Sequence, residues 1–261
     1  MTITDGRGKV ISLDKPPRRI VSLVPSTTES LFALGRGESV VGVTRFCVHP
    51  SGQLAGRVKV GGTKDLDAAR LEALQPDLVI GNVEENTAEM FDAIERRFPL
   101  YAAFPRDVDG AIADLLQMGA LVGAAGAAEA WATRIRESRA RLAACGNTAR
   151  TFAYLIWRDP WMAASDDTFI SAMLAEAGLT NGISDAGSRY PTIEPATLSA
   201  HDAILLSSEP YPFKDRHRHE LADLAGIPAS RISMVDGELC SWHGVRMAAA
   251  FDWLAHSAPR W

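Results

Sequence analysis

The sequence predicts an α/β chain of two lobes separated by a helical middle. Three observations carry that expectation: short β-branched runs alternate with amphipathic segments in the first hundred residues, an alanine-rich stretch then carries no strand-like run, and the alternation returns after it. The domains are drawn accordingly, with an N-terminal lobe at 1–106, connecting helices at 107–146 and a C-terminal lobe at 147–261. At 261 residues and 47% apolar side chains, the chain is large enough to bury a core without staples.

In the first lobe the strand-like runs are Ile20 to Val24, Val40 to Thr44, Leu78 to Ile80 and Leu100 to Phe104. The helix after the first run is signalled by Ser26-Thr27-Thr28-Glu29, read as a capping box, with a stop near Gly35. In the middle, Val108, Ile112, Leu115, Leu116, Leu121 and Val122 recur at helical spacing, and Gly123 and Gly126 are expected to break the stretch in two. Its second half, Ala127 to Ala144, would extend about 27 Å, with Gly146 as a stop. Beyond it, Phe152 to Trp157, Ala203 to Ser207 and Ile232 to Val235 read as strands, and Thr168 to Ala177 and Val245 to Ala255 as helices. The charged run Arg216-His217-Arg218-His219 reads as a solvated helix face.

Composition excludes several function classes. A net charge of −5 gives no basic footprint for a nucleic-acid backbone. Cys47, Cys145 and Cys240 are odd in number and about a hundred residues apart, so neither a disulfide framework nor a cysteine-built zinc module is indicated. The first twenty residues lack the apolar stretch of a signal peptide, and no run of eighteen apolar residues occurs, so the chain as written reads as cytoplasmic, without membrane insertion. A periplasmic location would follow if a leader had been removed.

In open α/β sheets, ligands gather at the carboxyl ends of strands. The loops there are rich in aromatics and arginines: Arg45-Phe46-Cys47-Val48-His49-Pro50, Asn82-Val83-Glu84-Glu85-Asn86, Pro105-Arg106, Trp157-Arg158-Asp159-Pro160-Trp161, Ser188-Arg189-Tyr190-Pro191, Glu209-Pro210-Tyr211-Pro212-Phe213, and Asp236 through Trp242-His243. Such a combination suits a flat ligand with peripheral acidic groups, although each aromatic alone can equally pack under its own loop. Cys47 and His49 are too few for a tight metal site, and a buried thiol and a bonded imidazole are the alternative. His49 or His243, the latter placed in the second lobe, is the candidate axial ligand to a metal already held in a macrocycle. Glu84 and Glu85 read as charges before a helix start at Asn86, with contact to ligand or to Arg45 as the other reading.

Pro17 to Glu29 (PRRIVSLVPSTTE), Val41-Gly42-Val43-Thr44 and Gln75-Pro76-Asp77-Leu78-Val79-Ile80 resemble the cobalamin-type substrate-binding proteins of ABC importers, a group that also takes haem and ferric siderophores. The loops at Thr44 to Pro50, Glu84 to Asn86 and Glu209 to Phe213 are similar to those of its helical-backbone metal receptor subgroup. The resemblance implies two Rossmann-like lobes joined by a rigid long helix, with the ligand in the cleft between them. It also implies aromatic contacts at Phe46 and Tyr190, while Thr63 stands where the family has a third aromatic. The family's two permease-docking glutamates align with Ala69 and Ala196, with Glu72 and Glu194 as the nearest substitutes.

The expected function is therefore non-enzymatic binding of a metal chelate, a corrinoid, haem or ferric siderophore, by a cytosolic relative of importer binding proteins. Phe46, Trp157, Trp161, Tyr190, Tyr211 and Trp242 would enclose it, Arg45, Arg106 and Arg158 would meet its acidic groups, and Cys47, His49, Glu85 and His243 complete the candidate set. The alternatives are an ordinary importer binding protein with an ABC permease as partner, or an enzyme using Cys47 or the Glu84–Glu85 pair. No nucleophile elbow or dinucleotide glycine fingerprint favours the enzyme.

Overall fold

The computed structural model describes residues 1–146, 149–184 and 187–261. The expected start of the second lobe at 147 lies outside the described residues. Two compact units emerge: one comprises Met1–Pro105, Asp109–Arg134 and His243–Arg246, the other Arg106–Val108, Ile135–Trp242 and Met247–Trp261.

The first unit opens with an antiparallel hairpin of β1 (Thr2–Thr4) and β2 (Val10–Ser12), followed by β3 (Ile20–Ser22), α1 (Pro25–Ala33), β4 (Val40–Val43) and β5 (Val58–Lys59). Next come α2 (Ala68–Leu74), β6 (Leu78–Asn82), α3 (Ala88–Glu95) and β7 (Leu100–Ala103). The sheet runs β5-β4-β3-β6-β7 with every pairing parallel. Strands covered on both faces read as unbroken apolar runs rather than alternating ones, which is why β3, β6 and β7 are legible in the sequence. Val21, Val79 and Leu100 pack with Leu71, Phe91 and Ile94 from the covering helices. The expected helical middle is α4 (Val108–Leu121) and α5 (Ala125–Ala144), separated at Gly123, whose φ of +73° suits glycine, whereas Gly126 lies inside α5. The division between the units falls within α5, after Arg134.

The second unit contains β8 (Arg150–Trp157), β9 (Met162–Ala164), α6 (Phe169–Ala175), β10 (Leu179–Asn181), β11 (Ala203–Ser207) and α7 (Asp215–Ala225). It ends with β12 (Ile232–Val235), α8 (Gly237–Ser241) and α9 (Met247–Ser257). Its sheet runs β10-β8-β11-β12 in parallel, with β9 antiparallel on β8. Ala153, Leu155, Ile204 and Leu206 form its core with Leu221 and Phe213.

Two expected helix starts shift. Helix α1 begins one residue before the supposed capping box: Pro25 occupies its first turn, Val24 flanks it, and no side chain caps it. The hydroxyls of Thr28 and Ser30 instead bond carbonyls one turn back, Val24 O at 3.0 Å and Ser26 O at 2.9 Å. Helix α3 is capped by Thr87, which accepts the Met90 N–H, while Asn86 turns inward to accept the Asn82 N–H.

The segment His243–Arg246 belongs to the first unit, although the chain on either side of it belongs to the second. This corrects the expected placement of His243, and polar contacts explain it. The Arg246 guanidinium grips Glu29 with two hydrogen bonds of 2.8 Å, and the Val245 N–H donates to Ser30 Oγ at 3.3 Å. Asn82 Oδ1 accepts the Glu84 and Glu85 N–H groups, so its Nδ2 donates to His243 Nε2 at 3.1 Å. Burial pushes His243 down to about 4, leaving a neutral imidazole at neutral pH.

A base whose folded value lies below its unfolded 6.5 loses stability as pH falls from 6.5 towards 4, here by up to about 3 kcal/mol. Urea midpoints measured across that range should therefore fall less steeply for His243→Gln than for the parent, and identical slopes would assign the lost stability to other groups. A second expectation concerns Gly61, which sits at φ +114° with the Asp65 carbonyl oxygen 2.1 Å from where a Cβ would stand. Gly61→Ala should cost roughly 2–3 kcal/mol in chemical unfolding, against ~1 kcal/mol for Gly56→Ala, where φ is +79° and the space is open.

Candidate functional site

In the second unit, the loops leaving β8 and β11 bring rings together. Trp157, 41% exposed, meets Tyr211 edge-on with centroids 5.6 Å apart. Tyr211 in turn meets Phe213 at 4.8 Å, and Phe213 stacks on Trp161 at 5.8 Å with the planes 6° apart. His217 packs beneath them, 5.4 Å from Tyr211 and 5.8 Å from Phe213. It is buried, contrary to the solvated face expected for its run, because its Nδ1 accepts the Lys214 N–H at 3.0 Å and the rings above exclude water. His219, by contrast, is exposed beside Asp215.

Arg158 borders this surface, its guanidinium 6.0 Å from the Trp161 ring centre and bonded to both carboxylate oxygens of Glu220. That bond raises Arg158 and holds Glu220 below the usual carboxylate range. Arg106 groups with this unit, 3.6 Å from Asp167, and half-buried Tyr190 donates its N–H to Ser188 Oγ. Trp242 is buried instead of offering a face: its Nε1–H donates to Glu209 Oε1 at 2.7 Å, beside a second bond from Ser241 Oγ.

In the first unit, the loop after β4 presents Phe46, 51% exposed, with the Arg45 guanidinium 4.9 Å over its ring. Two hydrogen bonds of 2.7 and 2.8 Å tie Arg45 to Asp65, raising the one and lowering the other. Lys59 Nζ donates to the Thr44 and Cys47 carbonyls and so pins the base of this loop. Cys47 is buried, its Sγ 3.1 Å from both the Thr28 and Thr44 hydroxyls. His49 is half-buried. Glu85 is exposed in area, yet protein atoms crowd its carboxyl enough to raise it, with Lys64 opposing.

The Nε2 of His243 is engaged by Asn82 at 3.1 Å. Among the described residues, no group of three His, Cys, Asp or Glu side chains is gathered to hold a metal ion. Phe213, Asp65, Glu220 and Asn82 shape these surfaces without having been singled out. Phe213 lay within a quoted loop, whereas no sequence signal pairs Asp65 with Arg45 or Glu220 with Arg158 across such separations.

The sequence matches the family described as "Periplasmic binding protein" over residues 20–214. An uncharacterized ABC transporter substrate-binding lipoprotein of Bacillus subtilis, YvrC, is 25% identical over 98% of this chain and 85% of its own. A cobalamin-binding protein of Halobacterium salinarum is 29% identical over 77% of this chain and 56% of its own length. The periplasmic vitamin B12 binding protein BtuF of Vibrio cholerae superposes with a TM-score of 0.79 at 19% identity, covering 92% of this chain and 96% of that one. The periplasmic heme-binding protein RhuT of Roseiflexus sp. RS-1 does so at 0.78 and 26% identity, covering 92% and 97%. These likenesses agree with the α/β architecture of parallel sheets, and they are to substrate-binding proteins rather than enzymes. With three-quarters of its length matched, the chain belongs to the periplasmic binding protein family.

Proposed function

We propose that the chain binds a ring-shaped metal chelate, a corrinoid in preference to haem or a ferric siderophore, on the aromatic surface of its second unit. The observation that carries this is the gathering of Trp157, Trp161 and Tyr211 over the buried Phe213 by two loops at strand carboxyl ends. Such rings offer large, stiff contact area to a macrocycle at small entropic cost. The binding of cobalamin by one relative and of heme by another supports the ligand class. The preference within it comes from the arginines. Arg106 and Arg158 of this unit each already face a carboxylate, so an acidic ligand would have to displace Asp167 or Glu220, while the amide-rich rim of a corrinoid leaves those pairs intact.

A small-molecule ligand and an ABC permease partner follow from the family. For the permease we propose weakened docking, because exposed Ala69 and Ala196 stand at the positions aligned with docking glutamates; Glu72 is engaged by Arg97, and Glu194 is the exposed carboxylate nearest Ala196.

Titrating tryptophan fluorescence with cobinamide, cobalamin, hemin and a ferric siderophore tests the ligand reading. Saturable quenching by a corrinoid at micromolar concentration is expected, weaker by about tenfold in Trp157→Ala, a loss of ~1.4 kcal/mol. Absence of quenching by all four would overturn the chelate reading, and tighter binding of hemin would overturn the preference.

A further inference from the structure

The guanidiniums beside the aromatic surface are matched by carboxylates, but one groove of the second unit shows the opposite condition. A cavity of about 370 Å³ lies along β12, with Arg218 of α7 and the C-terminal Ser257, Arg260 and Trp261 on its walls. Ser230 and Ser233 complete its polar lining. It shares no residue with the aromatic surface.

Its donors are only partly spent. Among the described residues, the Ser230, Ser233 and Ser257 hydroxyls make no hydrogen bond and Arg260 has no ion-pair partner. Arg218 gives one nitrogen to Asp215 at 2.8 Å, while its Nε is buried without a partner. Among the described residues strand β12 pairs with β11 alone, and because the Val235 carbonyl faces β11, accepting the Ser208 N–H, the alternation of a strand turns the Met234 N–H and C=O together toward the open edge. Hydroxyls and guanidiniums lining one groove offer a set of donors to an oxyanion with several acceptor oxygens. Asp215 offsets one of the two cations, so the net complement suits a single head group. The remaining lining is apolar, with Met234 41% exposed and the Trp261 ring braced against Trp253 at 5.4 Å. The volume lies in the range of small-molecule sites.

We propose that this groove is a second ligand site, which binds a small phosphate monoester: its oxyanion meets Arg218, Arg260 and the serine hydroxyls, and an apolar or aromatic body rests on Met234 and Trp261. The full chain, without a C-terminal tag, is titrated with inorganic phosphate, phenyl phosphate and benzoate by calorimetry and tryptophan fluorescence. Phenyl phosphate should saturate below about 1 mM, at least tenfold tighter than inorganic phosphate and benzoate, and Arg260→Gln should weaken it about tenfold. Arg260 is exposed, so its replacement leaves the fold intact, and Ser233→Ala supplies an independent loss in the same direction. Failure to saturate by about 10 mM, or an affinity unchanged in both variants, overturns the proposal. Benzoate binding as tight as phenyl phosphate overturns the assignment to phosphate.

Discussion

The constraint on which the rest depends is the parallel direction of both main sheets. Parallel neighbours cannot be joined by a tight turn, so, apart from the antiparallel β8–β9 hairpin, the connections cross back over the sheet and the strands leave at the same end. In the first unit this concentrates the long segments, residues 44–57 and 83–87, at the carboxyl edge, while the opposite end carries shorter connections such as 75–77 and 96–99. In the second unit, residues 208–214 leave β11 and residues 158–161 leave β8 at the matching edge. The aromatic surface is assembled by this polarity, since Trp157 and Trp161 are far from Tyr211 and Phe213 along the chain.

An edge of that kind is held rigid by the polar groups buried beneath it. Ser22, Thr28, Thr44, Asn82 and Asn86 are all buried at the carboxyl end of the first sheet and all hydrogen-bonded. Leaving any one of them without its partner would cost about 1–3 kcal/mol, so the loops above have little freedom to rearrange. Asn82 shows the economy of the arrangement: one side chain orders the Glu84 and Glu85 amides and fixes His243. Beneath the second edge, Tyr154 donates to Ser207, and Glu209 receives both Trp242 and Ser241.

The sequence discloses what is local and repetitive. Doubly buried strands such as β6 and β11 announce themselves as apolar runs, and the glycine break before α5 announces itself by composition. The two- and three-residue strands β5, β9 and β10 carry no such pattern, because their strand character comes from a neighbour already in place. The candidate surfaces divide in the same way. Aromatics in loops are legible, yet whether a ring faces outward, as Trp157 does, or is tied down by a distant carboxylate, as Trp242 is, depends on Glu209, 33 positions away in the chain. His217 departs from the solvated face its run suggests for a related reason: its charged neighbours describe the outer face of α7, while Tyr211 and Phe213 cover the inner one.

Charge pairing then decides what an arginine can do. Held by Asp65 and Glu220, the Arg45 guanidinium of the first unit and the Arg158 guanidinium of the second become fixed planes, one over Phe46 and the other toward Trp161, each extending the ring surface of its own unit while contributing little net charge. Discrimination on such a surface rests on shape and apolar area, because a peripheral carboxylate on the ligand gains only by breaking a pair of comparable strength. Among the described residues Arg260 has no ion-pair partner and Arg218 spends only part of its donor fork, so the same chemistry there remains available to an anion. One side-chain type thus serves two kinds of recognition within a single unit, and the presence or absence of a carboxylate within reach separates them.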